Sequence, residues 1–230
     1  MGTTISFERP DGKSVEGYLA EPAQSTGAPG VVVIQEWWGL NDQIRGVADR
    51  YATAGYVALV PDLYRGKSTV EAAEAEHLMG ALDFADAASQ DVRGALQHLK
   101  TRCAKTGVSG YCMGGALTLL TLVFVPEADA GVVYYGYPPL AYIDAAKIKA
   151  PLMAHWAVDD VPFPIANVDK LESMLSEAGV AHEFHRYQAM HAFANETQVG
   201  EKRLPITLYD PVAAELAWTR TLAFFGRHLR

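Results

Sequence analysis

Short, continuously apolar runs alternate along the chain with longer amphipathic stretches, and turn residues separate them. The runs are too short and too rich in β-branched residues for helices, and they are typical of strands buried on both faces of a parallel sheet. Strands are predicted at 31–34, 56–61, 105–111, 131–135, 151–156 and 182–187. Strands that alternate with helices indicate an α/β fold, with a mostly parallel central sheet of about eight strands and helices on both faces.

Helical periodicity follows most of these strands. Asn41 or Asp42 can cap a helix that ends at Gly55. Further helices are predicted within 69–102 (two helices) and at 116–124, 164–178 and 211–230. The opening segment, with an Asp11-Gly12 turn between two short strands, predicts an antiparallel hairpin at the sheet edge. Because no linker, repeat or low-complexity segment interrupts the pattern, we expect one domain over 1–230.

Composition narrows the range of functions. The 230 residues carry 19 Lys and Arg against 27 Asp and Glu, a formal charge of −8, which argues against nucleic acid as a partner. No apolar run is long enough to span a bilayer, so no membrane partner is expected either. The N-terminus lacks the features of a signal peptide, and the two cysteines suit a reducing compartment, so we expect a cytoplasmic protein. A small molecule remains the expected partner of a monomer or small homo-oligomer.

The segment Gly110-Tyr111-Cys112-Met113-Gly114-Gly115 lies where a predicted strand turns into a helix. It has the form of a nucleophile elbow with Cys in the place of Ser. The turn brings backbones too close for a Cβ at the glycine positions. A helix N-terminus beneath the side chain favours a thiolate and can stabilise an oxyanion. The alternative is a buried structural Cys112 beside an ordinary glycine-rich turn.

A cysteine nucleophile needs a base, and the base needs an acid that orients it. Chain order in this type of sheet is nucleophile, acid, histidine. Two neighbouring acids, Asp159 and Asp160, follow the strand at 151–156, and the residues alone leave both open. Of the seven histidines, His191 follows the last predicted strand, whereas His155 lies inside a strand as an expected core residue. No group has recognisable metal-ligand spacing, so neither a metal nor a cofactor is expected.

Glu36 closes the apolar strand at 31–34, at the edge of the sheet where ligands bind. The alternative to a functional role is that Glu36 is a structural carboxylate paired with a nearby arginine. Trp37 follows in the loop that supplies the second oxyanion N–H in this architecture. Asp62 is expected to be a structural cap, and Cys103 an inert packing residue.

Taken together, several motifs resemble the dienelactone hydrolases (carboxymethylenebutenolidases) over essentially the whole chain. They are Gln35-Glu36-Trp37-Trp38-Gly39-Leu40-Asn41, Pro61-Asp62-Leu63-Tyr64, the Cys112 elbow, Asp160 and His191-Ala192-Phe193. The resemblance implies an α/β-hydrolase fold and a catalytic triad of Cys112, His191 and Asp160. It also implies an oxyanion hole formed by the N–H groups of Met113 and Trp37.

The resemblance further implies a role for Glu36, which contacts the resting thiol in this family. Substrate displaces the glutamate, which takes the thiol proton, and the thiolate then opens a lactone or ester to an acyl-cysteine. Alternatives on the same triad are an acyltransferase or a thioesterase. A third alternative is a non-catalytic protein in which Cys112 senses redox state.

This chain departs from the family pattern where arginines bind an anionic substrate. Asn195 stands four residues after His191 in place of an arginine, and 71–82 contains no arginine. Arg65 and Lys67, just after Tyr64, are the cations expected nearest the pocket, and Arg65 is the predicted pocket residue. A neutral amide is a poor replacement for a bidentate cation. With Trp38, Phe163 and Phe193 predicted in the pocket beside Trp37 and Asn195, we expect a neutral ester, lactone or thioester as substrate.

Overall fold

The eight strands of the described residues lie in one sheet. The computed structural model describes residues 2–201 and 203–230. The strands are β1 (Thr3–Glu8), β2 (Ser14–Ala20), β3 (Gly30–Ile34), β4 (Val57–Pro61), β5 (Thr106–Tyr111), β6 (Ala130–Tyr134), β7 (Leu152–Asp159) and β8 (His182–Met190). Their order across the sheet is β1-β2-β4-β3-β5-β6-β7-β8. The strands β1 and β2 form the predicted edge hairpin and pair antiparallel, and β2 also pairs antiparallel with β4. Across the rest of the sheet, from β4 through β3 to β8, neighbouring strands pair parallel.

Helices cover both faces of the sheet, as the alternating pattern predicts. They are α1 (Asp42–Thr53), α2 (Ala72–Gly80), α3 (Phe84–Asp86), α4 (Arg93–Lys100), α5 (Met113–Phe124), α6 (Ile165–Glu177) and α7 (Pro211–Leu229). A π-helical segment (Ala87–Val92) joins α3 to α4, and two short 3-10 helices lie at Leu140–Tyr142 and Ala145–Lys147. Asn41 caps α1 through its side chain, which accepts a hydrogen bond from the Ile44 N–H.

Successive side chains of β3 point to opposite faces, so one strand contributes to both cores. Val31 and Val33 pack in a core with residues of α1 and α7. Val32 and Ile34 pack in a second core with residues of α4, α5 and α6. A strand buried on both faces must be apolar at every position, which explains the continuous run at 31–34.

The carboxyl ends of β7 and β8 bring two predicted site residues together. Asp159 is the register partner of Met190, and the register shifts between Ala157 and Asp159. A local irregularity of this kind re-aims the side chains that follow it. Asp160 and His191 therefore leave the sheet side by side. The strand β8 reaches Met190, three residues beyond its predicted end, so His191 follows it directly.

Within residues 2–201 and 203–230, none of the helices combines the length and apolar character that crossing a bilayer requires.

Candidate active site

Cys112 occupies a strained turn between β5 and α5. Its φ is 53° and its ψ −115°, a conformation that residues with a side chain rarely adopt. A Cβ on Gly110 would collide with the carbonyl oxygen of Gly114, and one on Gly114 would collide with that of Ile34. The two glycines are therefore required for the turn. Cys112 is partly exposed at the N-terminal end of α5, as the elbow motif predicts.

A chain of hydrogen bonds connects Cys112 to an acid through His191. The sulfur lies 3.2 Å from His191 Nε2, and Asp160 Oδ2 lies 2.8 Å from His191 Nδ1. His191 and Asp160 are both buried. Asp160 Oδ1 also accepts a hydrogen bond of 2.8 Å from the Phe163 N–H, which fixes the carboxylate. Asp159 instead is exposed and accepts from the Gln188 amide at 2.6 Å, so the structure brings only Asp160 to the histidine.

The surroundings of His191 favour its protonated form. Burial by itself lowers the pKa of the imidazole, but the sulfur of Cys112 and the Asp160 carboxylate outweigh it and raise the pKa to about 10. The Phe163 ring stacks on the imidazole with centroids 5.4 Å apart, and the Tyr135 ring meets its edge at 5.2 Å. The imidazole is thus held in position by rings as well as by hydrogen bonds.

Glu36 is buried beside this triad, and among the described residues no arginine pairs with it. Its Oε2 accepts a hydrogen bond of 2.7 Å from Asn195 Nδ2, and its Oε1 accepts one of 3.2 Å from the Tyr135 hydroxyl. Burial raises the pKa of the carboxyl, while the charge of His191 and the two hydrogen bonds partly oppose that rise. Within the described residues, the sulfur of Cys112 has His191 as its hydrogen-bond partner and not Glu36. The resemblance implies that Glu36 contacts the resting thiol, but among the described residues the carboxyl forms no hydrogen bond with the sulfur.

Tyr135 is a site residue that the sequence analysis missed. It follows β6 with a φ of 38°, in the left-handed region that is a genuine outlier for an aromatic residue. Its side chain is fully buried, and its ring packs against both His191 and Phe193. Its position at the carboxyl end of the strand next to the elbow strand was the available signal. The backbone strain, which the sequence does not encode in any recognisable pattern, turns the hydroxyl toward Glu36.

A cavity of about 460 Å³ opens over Cys112 and His191. Its wall is mostly aromatic and aliphatic, and Trp37, Trp38 and Phe163 line it as the sequence predicts. Further aliphatic and aromatic side chains complete the wall: Met79, Phe84, Ala116, Leu120, Tyr137, Pro138, Pro139, Tyr142, Pro162, Ala192, Leu204 and Ile206. Its polar members besides Cys112 and His191 are Glu36, Gln198 and Thr207, and among the described residues no lysine or arginine lines it.

Three residues predicted in the pocket lie elsewhere. Arg65 points away because its guanidinium binds both oxygens of the buried Asp91, at 2.8 and 2.9 Å, and a buried carboxylate holds a cation more strongly than an open cavity does. Phe193 is fully buried behind Tyr135 and Tyr187. Asn195 is buried with its amide on Glu36, so it contacts the acid rather than a substrate.

Met113 and Trp37, the predicted oxyanion donors, both border the cavity next to Cys112. Met113 begins α5, and the first N–H groups of a helix have no partner within it. The Tyr64 hydroxyl lies 3.2 Å from Met113 Sδ and fixes that side chain. Asp62 caps its own loop by accepting from the N–H groups of Tyr64 and Gly66, as expected. In the described part of the chain, no cluster of three or more His, Cys, Asp or Glu side chains is arranged to hold a metal.

The family model described as "Dienelactone hydrolase family" matches residues 15–229. The chain belongs to the dienelactone hydrolase family. A dienelactone hydrolase-family protein is a hydrolase, and the fold and the motif resemblance agree with this membership. "Protein usf" from Aquifex pyrophilus is 36% identical over 240 residues, covering 100% of both chains. A protein from Aquifex aeolicus named "Putative carboxymethylenebutenolidase" is 31% identical over 241 residues, again covering 100% of both.

A solved structure confirms the α/β-hydrolase architecture of this dienelactone hydrolase-family chain. It is a dienelactone hydrolase-like promiscuous phosphotriesterase from metagenomic libraries, with a TM-score of 0.87 and 24% sequence identity. The match covers 100% of this chain and 99% of that one. At this identity the likeness establishes the fold and not the substrate.

Proposed function

We propose that the protein is a cysteine-dependent carboxylic-ester hydrolase that works through an acyl-cysteine intermediate. One observation carries the proposal: Cys112 Sγ, His191 and Asp160 form a continuous hydrogen-bonded chain at the floor of a cavity that a small molecule can enter. Nucleophile, base and orienting acid in this geometry are the parts that acyl transfer requires. No comparable observation favours an acyltransferase or a redox sensor.

The proposed reaction has two halves. In the first, the Cys112 sulfur attacks the ester carbonyl carbon while its proton resides on His191 Nε2. The N–H groups of Met113 and Trp37 stabilise the oxyanion, and the alcohol leaves with the proton that His191 returns. In the second half, His191 takes a proton from water, which attacks the thioester carbonyl and releases the carboxylic acid and the thiol. Asp160 holds the imidazole in the tautomer that both halves need.

The cavity wall supports an uncharged substrate. An anionic group in this cavity would lose its hydration without gaining a lysine or arginine partner, because Arg65 is paired with Asp91 and, among the described residues, no other such side chain lines the cavity. Aromatic and aliphatic side chains make up most of the wall, so they gain free energy by covering apolar parts of an ester. We propose neutral aryl or alkyl esters or lactones of small size as the substrate class, and a reducing compartment such as the cytoplasm as the setting for the free thiol.

The test measures ester hydrolysis by the wild-type protein and by matched cysteine variants. Cys112→Ala is expected to lower kcat/KM by about a thousandfold or more, because the nucleophile is lost. Cys103→Ser is the control, since that thiol is buried away from the cavity. A trapped acyl group is expected at Cys112 by mass spectrometry. Equal loss in both variants, or turnover without Cys112, would overturn the assignment.

The same assay tests the substrate class with two esters of equal shape, 4-nitrophenyl 4-methylpentanoate and 4-nitrophenyl hemisuccinate. They differ in whether the acyl chain ends in an isopropyl group or a carboxylate. The neutral ester is expected to be favoured by about a hundredfold in kcat/KM, which corresponds to burying one unpaired charge with partial hydration. A preference for the anion would refute the proposed substrate class and leave the thiol mechanism standing.

A further inference from the structure

Glu36 and His191 border the same cavity as the Cys112 thiol, and either side chain could hydrogen-bond with the thiol in the free enzyme. Both carboxyl oxygens of Glu36 accept hydrogen bonds, Oε2 from the Asn195 amide and Oε1 from the Tyr135 hydroxyl. The sulfur is hydrogen-bonded to His191 Nε2 at 3.2 Å. An unrestrained carboxyl beside a thiol would compete with the imidazole for the thiol proton. The hydrogen bonds from Asn195 and Tyr135 suppress that competition.

The orientation of Asn195 is fixed by its other end. Asn195 Oδ1 accepts a hydrogen bond of 3.0 Å from the Thr197 N–H and one of 2.6 Å from the Thr197 hydroxyl. A backbone N–H can only donate, so the amide oxygen must face Thr197 and the amide nitrogen must face Glu36. The backbone N–H of Asn195 donates to the Ala192 carbonyl at 2.9 Å, which ties the residue to the turn that carries His191. Asn195 is 1% exposed, so no water replaces its contact with Glu36 easily.

We propose that Asn195 is a positioning residue that holds Glu36 off the thiol, so that the Cys112–His191 pair stands assembled in the free enzyme. Tyr135 assists by binding the other carboxyl oxygen. Activation of the thiol then needs no charged substrate group to displace Glu36. This inference rests on the proposed function, and it explains how the thiol can be active in a cavity that, among the described residues, no lysine or arginine lines.

The test follows the reactivity of the thiol without any substrate. Iodoacetamide alkylates the thiolate and releases iodide, and mass spectrometry locates the label, with the buried Cys103 as an internal reference. Asn195→Ala is expected to slow alkylation of Cys112 at pH 7 by about tenfold, as expected for loss of a hydrogen bond to a charged group. The ultraviolet absorbance of the thiolate is expected to fall in parallel. Tyr135→Phe, which removes one hydroxyl, is expected to act in the same direction with a smaller effect.

The control repeats the substitution where Glu36 cannot take a proton. In a Glu36→Gln background, Asn195→Ala is expected to change the alkylation rate by less than roughly twofold, because the group it restrains is gone. An equal slowing in both backgrounds would show that Asn195 only supports the fold, and no slowing in either would also overturn the proposal. If Asn195→Ala does not fold, Tyr135→Phe in the same two backgrounds decides by the same criteria.

Ester hydrolysis measured on the same samples separates the two ideas. Alkylation that responds as expected in a protein that hydrolyses no ester supports the role of Asn195 and refutes the proposed function. Hydrolysis that depends on Cys112, with alkylation indifferent to Asn195, supports the proposed function and refutes the role of Asn195.

Discussion

Two buried histidines of adjacent strands have opposite protonation preferences. His191 follows β8 and lies between the Asp160 carboxylate and the Cys112 sulfur, and its pKa is raised to about 10. His155 lies within β7, with Nδ1 2.9 Å from the Tyr187 hydroxyl and Nε2 2.9 Å from the Thr221 hydroxyl. Burial lowers the pKa of His155 well below its ordinary value, and the charges of neighbouring groups lower it further.

Burial is similar at the two sites, so the partners cause the difference. A carboxylate and a sulfur at hydrogen-bond distance stabilise an imidazolium more than desolvation destabilises it. The two hydroxyls that contact His155 hydrogen-bond equally well to a neutral ring, so desolvation sets the direction in which its pKa moves. The chemistry of a buried histidine therefore follows from the charges that meet its two nitrogens. The same fold therefore uses one histidine as a proposed proton carrier and the other as a packing residue.

Replacing the imidazole ring of His191 or of His155 separates their roles, and the largest effect is expected at His191. His191→Gln is expected to lower kcat/KM for a neutral ester by about a thousandfold or more, because the proton acceptor is lost. His155→Gln is expected to leave the rate within about threefold but to lower the free energy of unfolding by roughly 1–3 kcal/mol, since it disturbs buried hydrogen bonds. Steady-state kinetics and denaturant unfolding measure the two. Comparable rate losses in both variants would contradict the division of roles.

A smaller effect is expected when the carboxylate is neutralised. Asp160→Asn is expected to lower kcat/KM on the order of a hundredfold, because the amide favours the wrong imidazole tautomer and no longer stabilises the imidazolium. Asp159→Asn is the matched control: its side chain is exposed and binds only Gln188 among the described residues. The control is expected to stay within about twofold of the wild-type rate. If Asp159→Asn were the more damaging change, the acid would have to be reassigned.

The smallest expected effect concerns the pH dependence of stability. The pKa of His155 is lower in the folded protein than in the unfolded chain, where it is about 6.5. Its contribution to stability is therefore present above about pH 6.5 and is lost as the pH falls below that value, because only the unfolded chain binds the proton. Each pH unit of acidification below that value should lower the free energy of unfolding by up to about 1.4 kcal/mol. Urea unfolding of the wild type and of His155→Gln between pH 5 and 7 measures this, and identical acid slopes would refute it.

The fold was largely predictable from the sequence because its signals are local. Continuous apolar runs marked the strands buried on both faces, and the Asp11-Gly12 turn marked the edge hairpin. The glycines around Cys112 predicted the strained elbow, since the close approach of backbones there excludes a Cβ. Chain order placed an acid near His191 but left both Asp159 and Asp160 open, and the resemblance favoured Asp160.

Contacts between distant side chains depended instead on the tertiary structure. Glu36 and Asn195 are 159 positions apart, and no pattern in the chain announces their hydrogen bond. Arg65 was expected near the cavity but is held by Asp91, 26 positions away, because a buried carboxylate offered it a stronger partner.

The sequence by itself thus determined the order of strands and helices, the elbow and the types of residue that could react, because backbone preference and burial periodicity act over a few neighbouring residues. The tertiary structure was needed to show that Glu36 meets Asn195 and that Arg65 meets Asp91. Those pairings depend on angstrom-scale distances between loops that the sheet brings together, and the free energy of a charge in a low-dielectric interior varies steeply with them.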